Sequence, residues 1–221
     1  MEDVKPENDK DMPDVSYFLA TALKAKGDPD AAVPELEKAL ASQQYGKGAL
    51  GELATYYQQK GDKKTALKYY QQGWEKYPDE PIFGRMLLST QFNLDDLDGA
   101  LATAKALQER FPDDDFAYTT EGHILFKNKK YAEAKEAYLK AHKLNPVPTN
   151  NIQGAAQSSW MQLTTDEKNK ELQQETLELY KLYESDAPDD FAIWGDALYI
   201  LYTNAQQPEK AKAYKKYHGG K

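Results

Sequence analysis

A proline-containing segment recurs at regular intervals along the chain, and this periodicity is the strongest constraint on the fold. The segments are KYPDEPIF, RFPDDDFAY, LNPVPTN and APDDFAIW, whose prolines are Pro78, Pro112, Pro146 and Pro188. The first two intervals are 34 residues and the third is 42. A period of this length predicts a chain built from one repeated supersecondary unit.

Small residues recur at fixed positions when four units are numbered from Pro13, Lys47, Pro81 and Asp115. Small side chains are expected wherever two helices of a repeat must approach closely. Position 8 is mostly small, position 20 is always alanine, and positions 24 and 27 are small, aliphatic or aromatic. In that order the residues are Ala20, Ala54, Leu88 and Gly122; Ala32, Ala66, Ala100 and Ala134; Leu36, Tyr70, Ala104 and Tyr138; and Ala39, Gly73, Leu107 and Ala141.

This pattern resembles the tetratricopeptide repeat over about Asp14 to Tyr217. The resemblance implies an all-α fold, a right-handed superhelical solenoid of antiparallel helix pairs (helix A, then helix B) with about six units. The expected organisation is an acidic flexible tail at 1–13, a single solenoid at 14–217 and a flexible end at 218–221. Its units lie near 13–46, 47–80, 81–114, 115–148, 149–190 and 191–217.

Turn and cap residues separate the two helices of each unit. Gly61-Asp62 and Gly27-Asp28-Pro29 each combine a helix-ending glycine with an aspartate that can cap the next helix. Asp95 and Lys129 occupy the same turn position in units three and four. In the longer fifth unit, Thr164 and Glu167 have the spacing of a capping box and predict a helix over 166–185.

The acidic run Asp113 to Asp115 has two interpretations, a metal site or the start of a helix. A calcium loop requires regularly spaced oxygen ligands around a glycine and a glutamate at its twelfth position, which neither this run nor Asn93 to Gly99 provides. Carboxylates at a helix N-terminus accept hydrogen bonds from free backbone N–H groups. The sequence therefore predicts helix capping at this run.

Catalytic signatures are absent from the sequence. The chain has no cysteine and three histidines, with no H-E-x-x-H, no glycine-rich phosphate loop and no G-x-S-x-G. We expect His142 to be a solvated helix residue and His218 to lie in a frayed end. The prediction is a protein that is not an enzyme and holds neither a metal nor a cofactor.

Charge and hydropathy argue against nucleic-acid binding and against a membrane-spanning segment. The net charge is −8, which argues against a nucleic-acid track, and no window approaches 18 consecutive apolar residues, so we expect no membrane span. The charged N-terminal segment favours a cytoplasmic protein. The alternative is an exported or lipid-anchored protein whose signal has been removed.

The resemblance also implies a concave groove lined by the A helices. Positions 2, 5, 9 and 12 are expected to face this groove and to form a partner-binding surface, and positions 5, 9 and 12 carry no acidic residue. The predicted binding residues are Tyr17, Thr21, Lys24, Thr55, Gln58, Arg85, Ser89, Phe92, Thr119, His123, Phe126, Gln153, Gln157, Trp160, Tyr199 and Tyr202.

Position 12 becomes aromatic in four consecutive units, with Phe92, Phe126, Trp160 and Tyr202. One interpretation places this aromatic line in the groove, because positions 4, 7, 8 and 11 already supply a core stripe. The other places it in the core, where aromatic residues at helical spacing are more common.

The predicted function is a protein-interaction scaffold or adaptor that binds a segment of a partner protein in the groove. A clamp for acidic C-terminal peptides, known in some family members, is not expected, because only Lys24 and Arg85 match its basic positions. Self-association through the solenoid ends could also occur. The alternative function is binding of a small molecule or carbohydrate, with a site formed by Asn150, Gln153, Gln157 and Trp160.

Overall fold

The computed structural model describes residues 12–218, except for the side chains of Phe191 and Ala192, and every regular element in that range is helical. The α-helices are α1 (Pro13–Ala25), α2 (Pro29–Ala39), α3 (Gly46–Gln59), α4 (Lys63–Lys76), α5 (Pro81–Asn93), α6 (Leu97–Arg110), α7 (Asp115–Lys127), α8 (Tyr131–Leu144), α9 (Asn150–Leu163), α10 (Lys170–Asp186), α11 (Phe191–Asn204) and α12 (Pro208–Tyr214). A short 3₁₀ helix, Lys215–Tyr217, follows α12. The predicted all-α fold is confirmed.

The predicted flexible segments fall mostly outside this range. Residues 1–11 of the acidic tail and 219–221 of the flexible end are outside the described residues. Pro13, which the sequence placed in the tail, is the first residue of α1. The chain divides into two compact units that are each larger than one repeat. The first unit runs up to Thr103 and the second unit starts at Ala104, so the division falls within α6. A single solenoid over 14–217 stays a prediction.

The core of the first unit depends on small residues where its helices meet. Ala20 of α1 and Ala32 of α2 are fully buried in one cluster with Leu36, Ala39, Ala49 and Leu53. Gly73 of α4 lies against the Phe83 ring, and a Cβ atom at Gly73 would come within 2.2 Å of that ring. The small residues of the repeat therefore set how closely neighbouring helices approach.

Turns between the helices of a pair use left-handed backbone, as the sequence predicted. Gly27 and Gly61 have φ of 85° and 81°, and the following aspartates cap α2 and α4. Asp62 accepts a hydrogen bond from the backbone N–H of Thr65 at 3.0 Å. Asp95 and Lys129 adopt the same left-handed conformation, with φ of 63° and 58°, although they are not glycines.

The second unit is organised around tyrosines enclosed by glycines. The buried ring of Tyr138 lies against Gly122 on one helix and Gly154 on another, and a Cβ atom at either glycine would come within 2.8 Å of it. Tyr180 and Tyr183 of α10 belong to the same core cluster. Position 8 of the fourth repeat, Gly122, is therefore glycine because an aromatic ring occupies the space that a side chain would need.

The predicted start of the long helix in the fifth unit is wrong. α10 begins at Lys170 rather than 166, and its cap is Asn169, whose side chain accepts from the Leu172 N–H at 3.0 Å. Thr164 ends α9 instead, and its hydroxyl donates to the Met161 carbonyl at 2.8 Å. A residue engaged with the preceding helix cannot form the capping box that its spacing suggests.

Replacing Ala66 with leucine tests the repeat register. Ala66 is fully buried, so the larger side chain must overpack the helix contact and lower the free energy of unfolding by roughly 1–3 kcal/mol. Chemical denaturation measures the change, and Ala102→Leu on an exposed position of α6 is the control. Equal stability of the two variants would contradict burial at position 20.

Replacing Gly61 with alanine tests the turn conformation. A Cβ atom there meets nothing within 4 Å, so the expected loss of about 1 kcal/mol comes from left-handed backbone alone. Gly51→Ala is the control, since Gly51 lies inside α3 with the same free space and alanine should stabilise that helix by roughly 0.5–1 kcal/mol. Thermal unfolding of both variants should give shifts of opposite sign.

Candidate functional site

The first unit contains a cleft of ≈ 400 Å³ lined by residues of α1, α2 and α3. Three of the predicted groove residues are brought together here, Tyr17, Lys24 and Thr55. Gly48 and Gly51 line the α3 side of the cleft. The structure thus places A-helix positions 2, 5, 9 and 12 around one open space.

Glu52 changes the charge expected for this surface. Lys24 Nζ lies 2.8 Å from Glu52 Oε2, and Tyr17 donates a hydrogen bond to Glu52 Oε1 at 3.2 Å. Burial and the neighbouring carboxylate raise the pKa of the Tyr17 hydroxyl. Lys24 is therefore paired with a carboxylate, and an acidic side chain lies at this end of the predicted binding surface. Sequence reasoning missed Glu52 because it belongs to position 6, outside the positions assigned to the groove.

A second cleft, of ≈ 380 Å³, lies on the other side of α3 and is lined mainly by residues of α3 and α5. Gly51 and Thr55 line this cleft as well as the first. Ile82 and Met86 supply apolar surface, and Ile82 is among the exposed large hydrophobic residues. An ion pair between Lys47 and Glu80 flanks the cleft.

Gly51 has no structural reason to be glycine. It lies within α3, where glycine is less favourable than alanine. Its backbone is not in the left-handed region, and an added Cβ atom would contact nothing within 4 Å. The missing side chain of Gly51 leaves open space that the two clefts share.

The other groove candidates of this unit are partly engaged with their own helices. Thr21 and Thr55 donate to the carbonyls of Tyr17 and Gly51, one turn earlier. The Gln58 side-chain oxygen accepts from the Tyr70 hydroxyl at 2.6 Å. The half-buried candidates are Arg85, Ser89 and Phe92.

The aromatic line of the second unit divides between surface and core. Phe126 and Trp160 are half-buried and pack against the core cluster, and Trp160 meets Tyr180 edge-on with ring centroids 6.0 Å apart. Tyr202 is only 5% exposed and stacks on Tyr214 within that cluster. Its prediction as a groove residue is therefore corrected, because a ring packed in the core cannot serve as an open anchor.

The polar candidates of the second unit lie at its surface. His123 is exposed, yet it meets the Tyr138 ring edge-on at 5.4 Å, and desolvation lowers its pKa. Thr119 Oγ1 lies 2.8 Å from the side chain of buried Asn151. Gln153 and Gln157 are half-buried on α9.

The two remaining histidines are not where the sequence placed them. His142 Nε2 lies 3.3 Å from Asp186 Oδ2, so this residue is half-buried and paired rather than solvated. His218 Nδ1 lies 2.6 Å from Asp196 Oδ1, and its ring stacks on Tyr199 with centroids 4.3 Å apart. Tyr199 is consequently a partly covered member of the predicted groove.

The acidic run acts as a helix cap, as predicted. Asp114 is buried and accepts a hydrogen bond from the Phe116 N–H at 3.1 Å, while Asp115 accepts from the Asn145 side chain. Across residues 12–218 no group of three or more histidine, aspartate or glutamate side chains could hold a metal ion. Nor does any helix in that range have the length and apolar character needed to cross a membrane.

Three segments of the chain match family models described as tetratricopeptide repeat. They are residues 13–44, 52–80 and 115–146. Each begins at or within an A helix and extends to or beyond the end of the following B helix. No curated protein matches the chain significantly.

Solved structures support the same fold. A crystal structure of MamA protein is 17% identical with a TM-score of 0.64, covering 78% of this chain and 90% of its own. A tetratricopeptide repeat protein from Parabacteroides merdae ATCC 43184 is 18% identical with a TM-score of 0.65, covering 93% and 78%. YrrB, a TPR protein with an unusual peptide-binding site, is 17% identical with a TM-score of 0.61, covering 91% and 94%.

Replacing Trp160 with alanine separates its packing role from a binding role. Because the ring is half-buried against the core, we expect a loss of about 2 kcal/mol in unfolding free energy, below the roughly 3–5 kcal/mol of a fully buried tryptophan. Urea denaturation gives the value. A loss in the full range would assign Trp160 to the core, and no loss would assign it wholly to the surface.

Proposed function

We propose that this chain, three segments of which match the tetratricopeptide repeat, is a protein-interaction scaffold that binds a segment of a partner protein along the exposed face of α3. The observation that carries the proposal is Gly51, a helical glycine that neither backbone conformation nor packing requires. Its missing side chain leaves room between two clefts, where a partner segment can lie against the helix.

The shape of the two clefts favours an apolar side chain of the partner as the main anchor. Ile82 and Met86 line the cleft between α3 and α5, and Ile82 is exposed. Burying one leucine-sized side chain there stabilises a complex by roughly 1.5–3 kcal/mol. A helical or extended peptide that inserts such a residue uses a common mode of recognition by helical grooves.

The charges around the clefts set the register of the partner more than its affinity. Lys24 is paired with Glu52 near the first cleft, and Lys47 with Glu80 near the second. Exposed ion pairs contribute little to stability and can exchange partners at small cost. An acidic group of the partner can replace the glutamate of an ion pair, and a basic group can replace the lysine. A strongly charged peptide is therefore not required.

Binding of a carbohydrate is the alternative for the second unit. Its predicted site consists of Asn150, Gln153, Gln157 and Trp160, all on α9. Trp160 has part of its ring against the core, which reduces the surface available for stacking on a sugar. A thermal-shift screen with a panel of sugars tests this alternative, because a ligand that binds the folded state raises the unfolding temperature.

Replacing Gly51 with leucine tests the α3 site. The leucine side chain should fill the shared space of the clefts, and peptides selected by the wild-type protein from a random phage-displayed library should bind at least about tenfold more weakly. Fluorescence anisotropy with the synthesised peptides measures the affinities. The fold should be retained, since leucine is a better helix former than glycine.

Two control variants make this result specific. Gly51→Ala adds one methyl group to the same position and should leave most of the affinity, while Leu182→Ala alters an exposed residue on α10 and should leave all of it. Peptides that bind Gly51→Leu as tightly as wild type would place the binding site elsewhere. Failure to enrich any peptide would argue against a peptide-binding α3 face.

A further inference from the structure

Helix α1 has apolar residues on two faces. Its inner face contributes buried Ala20 to the core shared with α2. Its outer face exposes four large hydrophobic residues, Met12 at 47%, Val15 at 40%, Phe18 at 58% and Leu19 at 47%. Met12, Val15 and Leu19 follow the three- and four-residue spacing of one helix face. A contiguous apolar face of this kind is typical of an interaction surface.

The repeat shows what covers the same face in other units. Val15 and Leu19 occupy positions 3 and 7, which are Ala49 and Leu53 in α3. Ala49 and Leu53 are fully buried in one cluster with Leu36 and Ala39 of α2. Phe83 and Leu87 of α5 are likewise buried, and α5 packs against α4. The outer face of α1 therefore matches a face that packs on the B helix before it.

A complementary surface exists at α11 and α12. A recess of ≈ 670 Å³ there is lined by Tyr199, Thr203, Gln206, Pro208, Glu209, Ala211, Lys212 and Lys215.

Repeat alignment shows which interior contact the recess corresponds to. Pro208 begins α12 as Pro29 begins α2, so Lys215 corresponds to Leu36. Leu36 is buried in the cluster with Leu53 of α3, whereas Lys215 is exposed. The recess is thus where an A helix would pack. It is open, and its lining carries two lysines and one glutamate.

Charge identifies the occupant. Residues 1–15 hold six acidic side chains and two lysines, whereas residues 207–221 hold five lysines and one glutamate. Two α1 faces packed together would bring two acidic segments into proximity, whereas α1 on the recess pairs opposite charges. We infer that the outer face of α1 docks into the α11–α12 recess of a second copy of this chain.

This contact joins two different surfaces and therefore does not pair identical patches. A bound pair still presents one free α1 face, on the copy whose recess is filled, and one free recess, on the copy whose α1 is docked. Association can therefore continue unless a ring closes. The apolar side chains of α1 would cover Ala211 and the aliphatic stems of Lys212 and Lys215, while the lysine ammonium groups remain at the solvated edge of the contact. The contact uses surfaces distinct from the α3 clefts and can operate with them free or occupied.

Analytical ultracentrifugation of the full chain over a wide concentration range tests the inference. The wild-type protein should form species larger than a dimer as its concentration rises. Leu19→Glu should weaken association by at least about tenfold, because it places a carboxylate in the apolar contact. Lys212→Glu should weaken association similarly from the other surface. Leu182→Glu, an exposed substitution on α10, should match the wild type.

Mixing the two defective variants distinguishes the geometry. Leu19→Glu retains an intact recess and Lys212→Glu retains an intact α1 face, so an equimolar mixture should form a heterodimer and nothing larger. A wild-type protein that remains monomeric would overturn the inference. A dimer lost in Leu19→Glu but unchanged in Lys212→Glu would also overturn it and indicate two α1 faces packed together. Circular dichroism of each variant confirms that the helices persist.

Discussion

The close approach of paired helices at alanine is the contact on which the rest of this structure depends. Ala20, Ala32, Ala54 and Ala66 are all fully buried, and none of them has a side chain larger than a methyl group. Because the helices can approach closely at these points, larger residues one or two turns away fill the remaining volume. Leu36 and Leu53 do so in the first unit. The two clefts lie on either side of α3 and share the open space at Gly51.

Much of the fold could be predicted from the sequence because its signals are local. Gly27 and Gly61 mark the turns, since a left-handed residue is needed there. Asp95 and Lys129 were assigned to the same turns from the period alone, and the structure gives them left-handed backbone despite their side chains. The start of α10 was not predictable in this way. A threonine hydroxyl can serve the end of one helix or the start of the next, and spacing alone does not decide between them.

The site was less predictable because its character depends on residues from different helices. The charge of Lys24 is balanced by Glu52 of α3, a contact between two helices that the sequence does not reveal. Tyr202 shared a repeat position with half-buried Phe126 and Trp160, yet its ring stacks on Tyr214 of a short last helix. Gly51 belongs to no motif in the sequence. Its significance comes from the empty space around it, which no sequence pattern reports.

A repeat position has no fixed burial of its own, since burial is determined by what packs beside it. Leu53 is fully buried and Leu19 is 47% exposed, although both occupy position 7 of an A helix. Natural solenoids commonly cover their terminal faces with polar residues. α1 instead keeps the apolar residues of an interior helix, while exposed Lys215, just after α12, occupies the repeat position of buried Leu36. This asymmetry between two otherwise equivalent surfaces is what a directional contact between copies requires, because identical apolar faces would favour a symmetric pair.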